Sequence, residues 1–284
     1  MMIQDIYPDT FDNHYTEQSP ASDSPMLFFR NDQLLARHDA VTHAILFPVC
    51  SDFPQGTEAV YLFSVSGRPY FGVKEPAAVP DGFEWYSLKD LRMLERNSNT
   101  GPFAAFTGWH LWKWYTSSRF CGACGEETVY DHQERAKVCP VCGNRIYPRI
   151  NPAVIVGITN GERILLTKYN RTFAYNALVA GFTEIGETME ETVQREVMEE
   201  VGLKVKNIRY YKSQPWGIAL DILMGFFCDV DGDDTIRRDD SELKYAAWVE
   251  RPDIVLQPTE DSLTNEMMRL FKEKGYQGTV ADRK

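Results

Sequence analysis

Apolar and polar positions change rhythm twice along the chain. In the first stretch, short apolar runs rich in strand formers (Met26–Phe29, Ala44–Val49 and Val60–Val65) alternate with turn formers. The breaks fall at Asn31-Asp32, Pro54-Gln55-Gly56 and Gly67-Arg68-Pro69, so this part reads as strands joined by tight turns. Ser87 precedes an apolar-periodic segment and predicts the N-cap of a helix of about ten residues. A second helix is expected over Phe103–Ser117, with Phe106, Trp109, Leu111, Trp112 and Tyr115 forming a broad apolar face. Residues 1–118 therefore read as a small α/β domain.

Residues 119–150 break the pattern, having too little apolar volume to fold unaided. From Pro152 onward it resumes. Ala153–Ile158 and Arg163–Lys168 flank Asn160-Gly161, a hairpin signal. A glycine-punctuated loop and a helix follow, then strands near Ile208–Lys212, Leu220–Asp229 and Tyr245–Glu250, and a closing helix near Thr264–Lys274. Residues 151–284 read as a third, α/β domain.

Composition sharpens this reading only in part. Of 284 residues, 43% are hydrophobic and 25% charged, which suffices for a buried core and excludes disorder as the default. The formal charge of −11 argues against a broad basic face for gripping nucleic acid, DNA included, and suits carboxylates that hold divalent cations. The first Lys or Arg is Arg30, and no apolar run approaches the ~20 residues of a spanning helix. The expectation is a cytoplasmic protein with no membrane association.

Four of the six cysteines form two knuckles, Cys121-Gly-Ala-Cys124-Gly and Cys139-Pro-Val-Cys142-Gly. Each sets two thiolates on one turn, and the glycine after the second Cys permits the left-handed residue that closes it. Four thiolates select zinc in a closed, structural site, one ion per chain. Free thiols, redox pairs and an iron–sulfur cluster are the rivals; the doubled ribbon spacing favours zinc. His132 lies between the knuckles but is surplus to a four-ligand site. Arg119, Arg135, Lys137, Arg145 and Arg149 are offset by Glu126, Glu127, Asp131 and Glu134, too balanced for a phosphate-binding face.

The chemistry concentrates between Gly181 and Leu203. Thr188 and Glu191 form a capping box, Gly202 is the C-terminal stop, and Met189, Val193, Val197 and Val201 make an apolar stripe. Glu196, Glu199 and Glu200 crowd a different face at i, i+3, i+4, a repulsive arrangement with Arg195 as the one basic residue in the stretch. Mg²⁺ or Mn²⁺ on oxygen ligands would neutralise it. A solvated acidic face is the bland alternative.

The stretch resembles the Nudix box, G-x5-E-x7-R-E-U-x-E-E-x-G-U, at Gly181, Glu187, Arg195, Glu196, Val197, Glu199, Glu200, Gly202 and Leu203. The resemblance implies an α/β/α sandwich with a mixed sheet that hydrolyses a nucleoside diphosphate linked to another group. It implies Glu196 and Glu200 as ligands of more than one Mg²⁺ or Mn²⁺, Glu199 or Glu200 as the group that orders or deprotonates water, and an Arg195–Glu187 brace. The four-Cys ribbon ahead of the box is similar to the NADH pyrophosphatase (NAD-diphosphatase) subfamily. So is Ser213-Gln214-Pro215-Trp216, the start of that subfamily's S-Q-P-W-P-F-P-x-S. The sequence then departs, reading Gly217-Ile218-Ala219-Leu220-Asp221. Further implied positions are Glu242 and the Ala180 carbonyl on the metals; Tyr147 and Phe182 stacking on a base; and Glu134 and Thr264 near the substrate. The implied reaction cleaves NAD(H) to AMP and nicotinamide mononucleotide, in a homodimer. Four rivals stand beside it: removal of an NAD cap from RNA, hydrolysis of another nucleoside diphosphate derivative such as ADP-ribose, a non-catalytic nucleotide sensor, and a zinc-ribbon adaptor.

Overall fold

A computed structural model describes residues 2–76, 78–170 and 175–280, so the outer ends of the expected first and third domains, residue 1 and 281–284, lie outside the described residues. The chain divides into two compact units. One comprises Ile3–Ile150 with Trp216–Leu220; the other comprises Asn151–Pro215 and Asp221–Lys284 with Met2.

The first unit holds β1 (Phe11–Asp12), β2 (Met26–Leu27), β3 (Phe29–Arg30), β4 (Gln33–His38), β5 (Ile45–Leu46), β6 (Ala59–Val65), β7 (Arg68–Val73), β8 (Glu84–Ser87), α1 (Leu88–Met93) and α2 (Thr100–Ser117). Sheet order is β1-β6-β7-β2 in one sheet; in a second, β4 is flanked by β3, β5 and β8. Ser87 caps α1 by accepting from the Asp90 amide. This helix is six residues long, shorter than expected, because Leu94 turns to extended backbone. Strands β4, β7 and β8 carry too many polar or turn residues to stand out from sequence. The ribbon follows as β9 (Val129–Tyr130), β10 (Lys137–Val138) and β11 (Arg145–Ile146), a separate three-stranded antiparallel sheet.

The second unit is built on β12 (Asn151–Asn160), β13 (Arg163–Tyr169), β14 (Val179–Phe182), α3 (Met189–Val201), β15 (Val205–Trp216), β16 (Asp221–Val230), β17 (Leu243–Glu250) and α4 (Leu263–Val280). The sheet runs β15-β16-β12-β13-β17, with β14 paired to the other end of β12. It is mixed: β12 and β16 are parallel, and β12 is antiparallel to β13 and β14. Continuous apolar sequence in β12 follows from burial on both faces. Val154, Val156 and Ile158 pack with Val193, Val197 and Val201 of α3, the stripe expected from sequence. On the other face, Met267 and Leu263 of α4 close on Gly225, and Met267 on Gly157. Helices thus cover both faces of a mixed sheet, the architecture the box implied. Strand β14 falls in a stretch whose local sequence reads as loop; its four residues are recruited by pairing with β12, which local sequence does not report.

Candidate active site and metal centre

The loop from β14 into α3 is fixed by its own residues. Thr188 Oγ1 accepts from the Glu191 amide at 3.2 Å, and the Glu191 carboxylate accepts from the Thr188 amide at 2.8 Å. At the far end, Gly202 closes α3 with φ of 67°. Between them, Arg195 grips Glu187 through two parallel bonds, Nε to Oε1 at 2.6 Å and Nη2 to Oε2 at 2.8 Å. The same guanidinium donates to the Phe182 carbonyl at 2.9 Å, Glu196 at 2.6 Å and Glu199 at 3.0 Å. That fork geometry is what arginine offers and lysine does not. Arg195 holds the Glu187 carboxyl down to about 2.

Gly181 is required by a close approach. A Cβ there would lie 2.0 Å from Cδ of Glu196 and 2.1 Å from its Oε1. The Glu196 carboxylate therefore rests directly on the backbone of β14, and burial raises its pKa. One turn later Glu200 is 2% exposed, and burial pushes its carboxyl up to about 8, with Glu196 and Glu242 adding repulsion. Tyr169, from β13, donates to Glu200 at 3.1 Å from Oε1 and accepts from the Ala180 amide at 3.0 Å. Tyr169 thus ties together two expected metal positions, the Ala180 peptide and Glu200. Sequence reasoning missed it: 31 residues separate Tyr169 from Glu200, and an apolar-facing tyrosine at a strand end reads as core. Glu199 and Glu242 are exposed, and the Glu242 carbonyl accepts from the Asn170 amide.

The other expected positions are spread over both units. In the first, Tyr147 is 53% exposed, and its hydroxyl bonds the exposed Glu134 carboxylate, which raises the tyrosine pKa. Trp216 sits edge-on to Phe106 with ring centroids 5.7 Å apart, beneath the Arg92 guanidinium at 5.0 Å. A Cβ on Gly217 would meet the Phe106 carbonyl oxygen at 2.1 Å. A proline at 217 would clash there, so this packing requires glycine where the signature has proline. In the second unit Phe182 is 51% exposed, Ser213 and Thr264 are half-buried and Pro215 is exposed. Gln214 is fully buried. Its Oε1 accepts from the Leu263 amide at 2.7 Å and its Nε2 donates to the Asp261 carbonyl at 2.9 Å, so it anchors the start of α4.

The four ribbon sulfurs form a second centre. Cys121, Cys124, Cys139 and Cys142 place all their Sγ atoms within 4.8 Å of one another. The sulfurs lie 3.6 Å apart for Cys121–Cys142, 3.4 Å for Cys124–Cys139 and 3.6 Å for Cys124–Cys142. A tetrahedral zinc with Zn–S of about 2.3 Å requires sulfurs about 3.8 Å apart, so the cage fits zinc with small adjustment. The Ala123 amide points at Cys121 Sγ and the Cys142 amide at Cys139 Sγ, lowering both thiol pKa values. Gly125 and Gly143 take φ of 82° and 74°, closing each knuckle as expected. His132 is exposed and bonds Glu17 at 2.9 Å, away from the cage. Among the described residues, the cysteines alone gather so tightly; the glutamate oxygens are more widely spread, a layout suited to oxygen-ligated ions that keep water in their shells.

Comparison with known proteins agrees with this geometry. The NUDIX domain family matches residues 149–271, and the NADH pyrophosphatase zinc ribbon domain matches 116–147. A protein of Pectobacterium atrosepticum named NAD-capped RNA hydrolase NudC is 46% identical over 142 residues, covering 50% of this chain and 54% of that protein. The chain thus spans about half the length of the first such relative. A protein of the same name from Yersinia pseudotuberculosis is 35% identical over 216 residues, covering 75% of this chain and 80% of that one. A crystal structure of a NUDIX hydrolase from Nitrosomonas europaea shares the fold, with a TM-score of 0.51 at 20% identity over 58% of this chain and 96% of that one. With the box, its helix and the preceding four-cysteine cage all in place, the chain belongs to the Nudix hydrolases that carry an NADH pyrophosphatase zinc ribbon.

Proposed function

We propose that this chain hydrolyses the central diphosphate of NAD(H), releasing AMP and nicotinamide mononucleotide. The observation that carries the reading is the seating of Glu196 against Gly181 beside buried Glu200, with Arg195 and Glu187 bracing the loop. Glu196, Glu200, Glu242 and the Ala180 carbonyl are the residues that would hold the catalytic cations, an all-oxygen set that fits Mg²⁺ or Mn²⁺. When bound, such ions polarise phosphoryl oxygens and acidify water. Arg195 keeps Glu187, Glu196 and the Phe182 carbonyl in one rigid frame, so the carboxylates meet the substrate already positioned. Glu199, exposed beside them, or Glu200 takes the proton of the attacking water. Tyr147 and Phe182 each present an exposed ring suited to stacking on a base. Gln214 acts through the α4 start that it anchors. Zinc stabilises the ribbon, 119–150, which has a sheet of its own and which we treat as a distinct module within the first unit. We further propose a homodimer working in the reducing cytoplasm; among the described residues no helix is long and apolar enough to cross a membrane.

The deciding experiment is a panel of NADH, NAD⁺, ADP-ribose, diadenosine polyphosphates and FAD with Mg²⁺ or Mn²⁺. Dominant turnover of ADP-ribose or FAD would overturn the NAD(H) assignment while leaving the hydrolase intact. A second reading, removal of an NAD cap from RNA, is favoured by the name of the relatives from Pectobacterium and Yersinia. Negligible release from NAD-capped RNA, beside good turnover of NADH, would dismiss it.

A further inference from the structure

The ribbon loop between β9 and β10 puts one carboxylate to two uses. Asp131 Oδ1 accepts from the Gln133 amide at 2.8 Å and the Glu134 amide at 2.9 Å, which fixes the turn that presents Glu134. Its Oδ2 accepts from Nη1 of Arg145, on β11, at 2.7 Å. Asp39 makes the same kind of turn with the Val41 and Thr42 amides but adds only the neighbouring Thr42 hydroxyl. Asp131 instead reaches across to another strand, and its side chain is only 11% exposed. The two amides, and Arg145 after them, hold its carboxyl below the usual range, so the ionised form is the one built into the loop.

Both arms end at the same exposed pair. Glu134, fixed by the turn, accepts from the Tyr147 hydroxyl, and Arg145 lies close enough to act on Glu134 and on Tyr147. The Tyr147 ring itself faces solvent. An untethered surface tyrosine loses rotamer freedom when it stacks on a base; a tethered one has lost it already. The hairpin is closed by other bonds. The Asp131 amide donates to the Ala136 carbonyl at 3.0 Å, the Ala136 amide to the Glu134 carbonyl at 2.8 Å, and the Tyr15 hydroxyl to the Asp131 carbonyl at 3.1 Å. The Asp131 carboxylate thus serves the exposed pair more than the closure of the loop.

We propose that Asp131 is a positioning residue for base binding: through Glu134 and Arg145 it holds the Tyr147 ring in the orientation that stacks on the substrate. It touches no substrate itself. This inference rests on the reading above, in which Tyr147 meets a base of the dinucleotide. It gives the ribbon a part in affinity that its zinc cage does not supply.

The test measures NADH hydrolysis, zinc content and thermal melts for the wild type, D131A, D131N, Y147A and D131A/Y147A. D131A raises KM by about fivefold or more, the lower end of what one stacked base contributes, with kcat within about twofold of wild type. D131N keeps an oxygen for the two amides and falls between the two. In the Y147A background D131A changes KM by less than about twofold, because the ring it orients is gone. A merely structural Asp131 would lower zinc content, melting temperature and kcat together, and its effect would persist without Tyr147. An unchanged KM in D131A, an equal rise in the Y147A background, or a D131N as poor as D131A would overturn the proposal. Should D131A not fold, D131N and D131N/Y147A carry the same comparison: a rise in KM that vanishes with Tyr147 supports the proposal, and an unchanged KM overturns it. Wild-type turnover confined to substrates other than NADH and NAD⁺ would instead overturn the NAD(H) reading.

Discussion

Gly181→Ala separates what the box does for folding from what it does for chemistry. The added Cβ would sit 2.0 Å from Glu196 Cδ, whereas ordinary contact begins at 3.4 Å, so the carboxylate must retreat by about 1.4 Å. Its 2.6 Å bond to Arg195 Nη1 cannot survive that displacement. The backbone itself has no objection, because Gly181 lies in β14 and pairs with Val154 in regular register. Losing an ion pair whose side chains are only 26% and 13% exposed costs about 1–3 kcal/mol, and replacing glycine in an extended segment returns about 0.4–1 kcal/mol through the unfolded chain. Melting should therefore fall by no more than about 8 °C. Activity should behave differently, since a misplacement of about 1 Å in a positioned catalytic group costs on the order of 100-fold. Dinucleotide hydrolysis at saturating Mn²⁺, measured beside calorimetry, reads both. Wild-type kcat/KM in the variant would show that the seat of Glu196 plays no part in the reaction. A collapse in melting temperature would show that Gly181 serves folding instead.

Three further outcomes follow from the same geometry. Glu200 holds its proton in the folded, metal-free protein up to about pH 8, against 4.5 when unfolded, so it adds stability below 4.5 that is lost as pH rises toward 8. Across that window metal-free wild type should lose melting temperature relative to E200Q; parallel curves would contradict the burial argument, and E200Q should lose at least about 100-fold in kcat. Y169F removes the donor to Glu200 and the acceptor for the Ala180 amide, and should weaken Mn²⁺ binding measured by spin resonance by about 10-fold or more, with unchanged affinity dismissing the positioning role. Elemental analysis should find one zinc per chain, lost in C139S together with protease resistance of residues 119–150.

What the sequence revealed and what it hid divide along the range of the interactions. The capping box, the αL glycine, the valine stripe and both knuckles depend on neighbours within a few residues, and each appears where local pattern placed it. Tyr169 and Asp131 escaped because their meaning depends on partners that only sheet register supplies. Gln214 and Trp216 show a third case. Their pattern was visible, but Gln214 spends its polar atoms on the start of α4, and Trp216 packs beside Phe106. The break after Trp216 looked like a lost signature. Gly217 against the Phe106 carbonyl shows it to be a different packing solution, with its own required residue.

Charge gives the last link between fold and chemistry. Seven glutamates and one arginine between Gly181 and Leu203 account for six of the eleven net negative charges. Arg195 is shared by Glu187, Glu196 and Glu199, so one cation already serves three carboxylates. Glu200 receives a neutral hydroxyl and the Ala180 backbone amide, with no cation, against burial and the field of two further glutamates, and burial keeps it protonated. Adding another lysine or arginine would relieve the repulsion permanently and close the site. Under the proposed assignment of Glu200 as a cation ligand, leaving the deficit unfilled makes the folded protein a poor home for its own carboxylates, so stability forgone at Glu200 would become affinity for divalent ions.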